Sequence, residues 1–132
     1  MRTRCTFLLA LGILTSLLAA ACHKDPASSN EPEVSNVRDN FHFRISDVNN
    51  HDTSLVYYWR TGGTSANIDQ SSSIQGGRVS VLITDSNQVQ TYRTDLRQNG
   101  SFITGYGDTG WWRISISLDN FSGMIDFRVQ RR

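Results

Sequence analysis

The sequence predicts an all-β domain, a single antiparallel β-sandwich of seven or eight strands. From Val37 onward, apolar and polar residues alternate at period two. Turn residues interrupt the alternation about every 8 to 12 positions, which is typical of sandwiches and barrels. The stretch after residue 22 has no apolar residues at helical spacing, so we expect no amphipathic helix there.

Each predicted strand has one apolar face. In chain order, the strands carry Phe41, Phe43 and Ile45; Leu55, Tyr57 and Trp59; Ala66 and Ile68; Val79, Val81 and Ile83; the run 89–96; the run 101–106; Trp112, Ile114, Ile116 and Leu118; and Ile125, Phe127 and Val129. Turn residues separate them at 49–52, 61–63, 76–77, 85–87, 107–110 and 119–123. Asn99-Gly100 predicts a type I′ hairpin, because both residues accept a positive φ.

The inward-pointing residues of these strands predict one core between two layers. The predicted core consists of Phe41, Phe43, Tyr57, Trp59, Val79, Val81, Ile83, Trp112, Ile114, Ile116, Phe127 and Val129.

The first 21 residues have the pattern of a signal peptide. Arg2 and Arg4 give a positive start, an apolar run covers 7–18, and small alanines occupy 19–21. The apolar run is shorter than the roughly 20 residues that a membrane-spanning helix needs.

The stretch Leu18-Ala19-Ala20-Ala21-Cys22 resembles the lipobox of bacterial lipoproteins, although that family favours Leu where Ala19 stands. The resemblance implies a diacylglyceryl group on the Cys22 thiol, cleavage before Cys22 and often an acylated new amino terminus, such as a palmitate. It also implies a lipid anchor in the outer membrane, since Asp, the inner-membrane retention signal, is replaced by His23. The alternative is an ordinary secretory signal cut near Ala21, which leaves a free thiol.

Composition divides the remaining chain into a linker and a domain. Residues 22–36 are polar, hold both prolines and lack periodicity, which predicts a flexible linker, and the domain spans 37–132. Cys5 leaves with the signal, so the domain has no cysteine for a disulfide or a Cys-based zinc site. Ten Arg and nine Asp are interspersed from residue 37 onward, which excludes the basic footprint of a nucleic-acid-binding protein.

The stretches GDTGWWRISISLDNFSGMIDFRVQ and GGRVSVLITDSNQVQTY are similar to strands of pre-peptidase C-terminal-type and related Ig-like or jelly-roll domains. The resemblance covers roughly residues 55 to 130 and implies an Ig-like or jelly-roll β-sandwich. Its motifs are strand and turn patterns, which specify fold rather than function. Small outer-membrane lipoproteins of unknown function carry such domains.

No constellation of residues predicts catalysis. His42 and His51 are the only histidines of the domain, and neither lies near a nucleophile motif such as G-x-S-x-G. We therefore expect no enzyme, no catalytic residue and no cofactor.

Loop oxygens leave one question about metals open. Such oxygens suit calcium, and they are present at Asp85, Asn87, Asp108 and Asp119. No calcium-loop motif is present, and the same residues are ordinary in turns. We assign no metal site, and calcium binding by these loops stays open.

Exposed aromatic residues give the predicted binding site. If Trp112 points inward, Trp111 and Arg113 point outward, and Tyr58 does so by the same alternation. Tyr106 precedes a glycine-rich loop. Aromatic and Arg side chains are common anchors at recognition surfaces. These residues predict a non-catalytic binding or adhesion module for a glycan or an envelope protein. The alternative is a structural accessory subunit of an outer-membrane assembly.

Overall fold

The computed structural model describes residues 31–132, and these residues form strands and connections without a helix. The strands are β1 (Glu33–Val37), β2 (Asn40–Thr61), β3 (Ala66–Thr84), β4 (Gln90–Thr94), β5 (Gly100–Ile103) and β6 (Gly110–Arg131). The all-β class is therefore confirmed. The predicted signal peptide, Cys22 and most of the predicted linker lie outside the described residues, and β1 includes the last residues assigned to that linker.

All six strands belong to one antiparallel sheet with the order β1-β2-β6-β3-β4. β5 also pairs with β3, along Asn67–Gln70, whereas β4 pairs with β3 along Val81–Thr84. The two short strands therefore occupy the same edge of β3 at opposite ends. Among residues 31–132, no helix is long and apolar enough to cross a membrane.

The sheet folds over on itself, so that its two ends face each other. Phe41 and Tyr57 lie on the same strand, 16 residues apart, yet their ring centroids are 5.4 Å apart. A straight strand would separate them by about 50 Å. Tyr92 on β4 and Phe102 on β5 also meet, at 6.5 Å. We call residues 33–46, 66–74, 100–103 and 124–131 the first half-sheet, and residues 53–61, 78–84, 90–94 and 110–119 the second half-sheet.

The bend crosses the three long strands at one level. The pairing registers of β2 and β3 against β6 shift near Val48 and Gly76. Asp47 on β2, Gly77 on β3 and Asn120 on β6 adopt positive φ there. Such residues accept the left-handed conformation at low cost, and bulges of this kind bend a strand while pairing continues on both sides.

This bend accounts for the difference in strand count. The sequence predicts seven or eight strands with turns at 49–52, 76–77 and 119–123, whereas the structure has six strands among the described residues, and three of them continue through these segments. The turn-forming residues do redirect the chain. They form bulges within the strands instead of ending them. Because the register shifts of β2 and β3 lie opposite the same part of β6, pairing resumes beyond the bulges.

The predicted Asn99-Gly100 hairpin is wrong, because β4 and β5 pair with β3 and not with each other. The side chain of Asn99 replaces a strand partner at the edge of β3. Its Oδ1 accepts a hydrogen bond from the Ser72 N–H at 2.8 Å, and its Nδ2 donates to the Ser72 carbonyl at 3.3 Å. The chain thus crosses from one half-sheet to the other between β4 and β5.

The core lies between the two half-sheets and is shared by them. Eleven of the twelve predicted core residues are buried, and Tyr57 is partly buried and packs against them. At its centre, Trp59 and Trp112 pack edge to face with ring centroids 5.9 Å apart. The period-two prediction of which residues face inward is therefore confirmed.

The end of the sheet opposite the bend is held together by Asp39. Its carboxylate accepts hydrogen bonds from the Gly62 N–H at 2.7 Å and the Thr61 hydroxyl at 3.1 Å. Arg131 and Arg38 lie within ion-pair distance of the same carboxylate. These donors and charges hold the pKa of Asp39 below its ordinary value, with the Gly62 N–H as the largest cause.

Candidate functional site

Three of the four predicted binding residues lie together on the outer surface of the second half-sheet. Tyr58 on β2 lies directly opposite Arg113 on β6, and Trp111 is opposite Arg60 on the same pair of strands. Thr84 on β3 flanks Arg113 on its other side. Because alternate residues of a strand share a face, Tyr58, Trp111 and Arg113 form one continuous patch.

The patch is open to solvent. Trp111 is 58% exposed and Tyr58 is 60% exposed, so no loop covers either ring. Both residues and Arg113 line a shallow depression of about 560 Å³, together with Thr84 and residues 85, 86 and 88 of the following loop. An open, aromatic surface of this shape can bind a flat or extended ligand, since it is no enclosed cavity for a small molecule.

Asp85 fixes the loops that border this depression. Its carboxylate accepts hydrogen bonds from the N–H groups of Asn87 at 2.9 Å, Val89 at 2.8 Å and Asp108 at 2.9 Å. These backbone donors lower the pKa of Asp85, with the Asp108 N–H as the largest cause. Asp85 thereby joins the loop after β3 to the connection before β6, and its carboxylate contacts the backbone donors of these two segments.

Two further arginines extend the patch, and sequence reasoning did not identify them as part of the site. Arg60 lies on β2 two residues after Tyr58, and Arg93 on β4 is opposite Leu82 of β3. Both are exposed, as is Arg113. We call the outward side chains of Tyr58, Arg60, Arg93, Trp111 and Arg113 the Arg–aromatic face. Period two already indicated that Arg60 shares a face with Tyr58, whereas the position of Arg93 depends on strand pairing.

The fourth predicted residue, Tyr106, is not part of this depression. It lies between β5 and β6, is 83% exposed and is not among the lining residues. The neighbouring Gly105 and Gly107 donate backbone hydrogen bonds to the carbonyls of Thr91 and Thr64, which fix the segment to β4 and to the connection between β2 and β3. The predicted lipidation site, Cys22, lies outside the described residues.

The histidines and loop carboxylates have ordinary structural contacts. The His42 Nε2 lies 2.8 Å from Asp126 Oδ1 on the outer face of the first half-sheet. Asn87 donates a hydrogen bond to Asp108, and Asp119 pairs with Arg78 at 3.2 Å, far from that loop. Within residues 31–132, no three His, Cys, Asp or Glu side chains lie together in an arrangement that could hold a metal ion.

Known proteins resemble this chain in fold rather than in sequence. No family model matches the sequence, and no curated protein matches it. The fold is similar to a chain in a crystal structure of accessory secretory proteins 1, 2 and 3 of Streptococcus pneumoniae, with 12% identity and a TM-score of 0.36. The match covers 84% of this chain and 92% of that one.

Proposed function

We propose that this chain is a lipid-anchored cell-envelope protein whose domain is a non-catalytic binding or adhesion module. The observation that supports the proposal most is the convergence of Tyr58, Trp111 and Arg113 on one exposed patch of neighbouring strands. Exposed aromatic rings beside a guanidinium are typical anchors of recognition surfaces. In this proposal the folded-over sheet is a two-layer β-sandwich of the Ig-like or jelly-roll kind, which serves as a rigid support.

Cys22 supplies the anchor in this proposal, at the outer membrane. Stable anchoring needs two lipid signals or more, which a diacylglyceryl group and an acylated amino terminus would provide. The segment between Cys22 and Glu33 can extend over about 35 Å. Glu33 pairs with Arg44, next to the bend. Trp111 is the second residue of β6 and lies far from the bend, which crosses β6 near its middle. The Arg–aromatic face is therefore at the end of the domain away from the anchor.

Two exposed aromatic residues allow a matched test of the binding site. Trp111→Ala and Tyr106→Ala each remove an exposed ring, but only Trp111 lines the depression. We expect Trp111→Ala to lose binding to delipidated cell-envelope material and Tyr106→Ala to retain it, with both variants melting at the temperature of the unchanged protein. Equal binding by Trp111→Ala and the unchanged chain would contradict the proposal.

A second experiment tests the anchor and the class of partner. Cross-linking in intact cells, followed by mass spectrometry, reports the proteins attached to the chain and the state of its amino terminus. We expect an acylated Cys22 at the amino terminus. An unmodified Cys22 in a chain that does not sediment with membranes would exclude the anchor. One fixed protein partner in every preparation would favour the accessory subunit over the binding module.

A further inference from the structure

The three arginines of the Arg–aromatic face lack an acidic partner, whereas five of the other seven arginines among residues 31–132 have one. Arg38, Arg78, Arg97, Arg128 and Arg131 each lie within 4.0 Å of an Asp carboxylate. Among residues 31–132, no such pair includes Arg60, Arg93 or Arg113. The strand segments that carry the face, 54–61, 80–84, 90–94 and 110–117, contain no Asp or Glu at all.

The two acidic groups that border the face already have partners. Asp95 follows Arg93 by two residues on the chain, and it pairs with Arg97 at 3.4 Å. Asp85 lines the depression, but it is only 5% exposed and its carboxylate accepts three backbone hydrogen bonds. It therefore offers no open partner for the arginines. Three exposed guanidinium groups, on β2, β6 and β4 of the same half-sheet, remain for a ligand, and guanidinium groups bind carboxylate or phosphate oxygens in a bidentate manner.

The exposed aromatic rings of the face indicate which kind of anionic ligand it can bind. Tyr58 and Trp111 are diagonal neighbours on adjacent strands, and such neighbours lie about 7–8 Å apart. Both rings are more than half exposed, so each can pack against the apolar face of a sugar ring. Since adjacent strands are about 4.8 Å apart, the face from β2 to β4 is about 14 Å wide, which is wide enough for several residues of an extended chain.

We infer that the Arg–aromatic face binds an acidic polysaccharide, with sugar rings on Tyr58 and Trp111 and sugar carboxylates on Arg60, Arg93 and Arg113. This inference rests on the proposed binding function and adds the chemistry of the ligand. A nucleic acid would require a broad basic surface, whereas the domain has interspersed Arg and Asp. A membrane surface fits less well, because the anchored end of the domain is the end near the bend.

The test compares one polymer with and without its charges. The full-length protein is titrated with polygalacturonate and with the same polymer after chemical reduction of its carboxylates to alcohols. We expect polygalacturonate to bind at least about tenfold more tightly than the reduced polymer, and added salt to weaken its binding, because charged hydrogen bonds are the stronger ones.

The matched variants are Arg113→Gln, Arg93→Gln and Arg44→Gln. Arg44 is exposed on the outer face of the first half-sheet and also has no ion pair within residues 31–132. We expect Arg113→Gln and Arg93→Gln each to weaken polygalacturonate binding by about tenfold and Arg44→Gln to leave it unchanged. All three positions are on the surface, so unchanged melting temperatures verify the fold.

The outcomes separate this inference from the proposed function. Equal binding of the two polymers, or an equal loss in Arg44→Gln, would overturn the acidic ligand. If the reduced polymer binds as well as polygalacturonate and Trp111→Ala abolishes that binding, the proposed binding function is retained and only the acidic nature of the ligand is excluded. Failure of polygalacturonate to bind, or tighter binding of polyglutamate or of phosphatidylglycerol vesicles, would overturn the polysaccharide.

Discussion

The outer faces of the two half-sheets are built from the same strands but use their charges differently. On the first half-sheet, Asp126 lies between His42 at 2.8 Å and Arg128 at 3.5 Å, and Arg44 is the one arginine of that half-sheet without an acidic partner among residues 31–132. On the second half-sheet, Arg60 and Arg113 lie beside exposed aromatic rings without an acidic partner in residues 31–132. The difference contributes little to folding, because exposed, unpaired charges beside exposed rings add little stability. The proposed binding function would account for such a surface.

The largest expected effect separates the two adjacent tryptophans of β6. Trp112 is completely buried, packs on Trp59 and donates a hydrogen bond from its Nε1 to the Asp108 carbonyl at 2.7 Å. We expect Trp112→Ala to lower the free energy of unfolding by about 3–5 kcal/mol and Trp111→Ala to change it by less than about 0.5 kcal/mol. Denaturation in urea measures both values.

A milder core variant keeps this comparison measurable if Trp112→Ala does not fold. Ile116 lies on the same inward face of β6 and is buried. Ile116→Val should cost about 0.5–1.5 kcal/mol and leave binding unchanged. A stability loss in Trp111→Ala as large as that of Ile116→Val would show that Trp111 is a structural residue.

The next effect concerns the bend, which places the two faces on opposite sides of the molecule. Gly123 has a φ of +138°, and an added Cβ would lie 1.9 Å from the Ser73 carbonyl oxygen. We expect Gly123→Ala to cost about 3 kcal/mol through backbone strain and displacement of β3. Gly76→Ala is the control, because its Cβ would meet only the Ser122 side chain, at 3.8 Å. Equal melting temperatures of the two variants would contradict the described bend.

The smallest expected effect is the pH dependence of stability that comes from Asp85 in the loops beside the Arg–aromatic face. The backbone donors around Asp85 lower its pKa below the ordinary value of 3.8, so folding favours the ionised carboxylate. Its contribution to stability is complete above pH 3.8 and is lost as the pH falls through the lower pKa of the folded protein. We expect Asp85→Asn to be less stable at neutral pH and to lose less stability on acidification.

The control for this pH profile is Asp47→Asn. Asp47 is exposed at the bend, and its carboxylate accepts no hydrogen bond within residues 31–132. Its variant should follow the acid unfolding curve of the unchanged protein. A parallel curve for Asp85→Asn as well would mean that Asp85 does not stabilise the loops.

The sequence determined the inward face of the three long strands, and it did not determine how the strands connect. Period two identified Trp59 and Trp112 as core residues because each buried position is encoded by its own side chain. Gly77, Asn120 and Gly123 marked real changes of direction, but the same residue types form turns and bulges. Asn99-Gly100 has hairpin chemistry, yet the bonds between Asn99 and Ser72 connect it to β3, a contact that local sequence cannot encode.

The candidate site was predictable to the same extent. Alternation alone placed Tyr58, Trp111 and Arg113 on outward faces. That Tyr58 and Arg113 are direct neighbours follows from the register of β2 against β6, which turn signals did not fix. Arg93 was missed because its place beside Leu82 arises only from the pairing of β4 with β3.

NMR mapping of the ligand-binding surface is the most direct test of whether the Arg–aromatic face binds the ligand. The isotope-labelled protein is titrated with polygalacturonate fragments, and backbone and indole signals are followed residue by residue. We expect the largest shifts at Tyr58, Trp111 and Arg113, and no change in the signals of His42 and Asp126 on the other face. Shifts concentrated at His42 and Asp126, with Trp111 unmoved, would contradict this prediction.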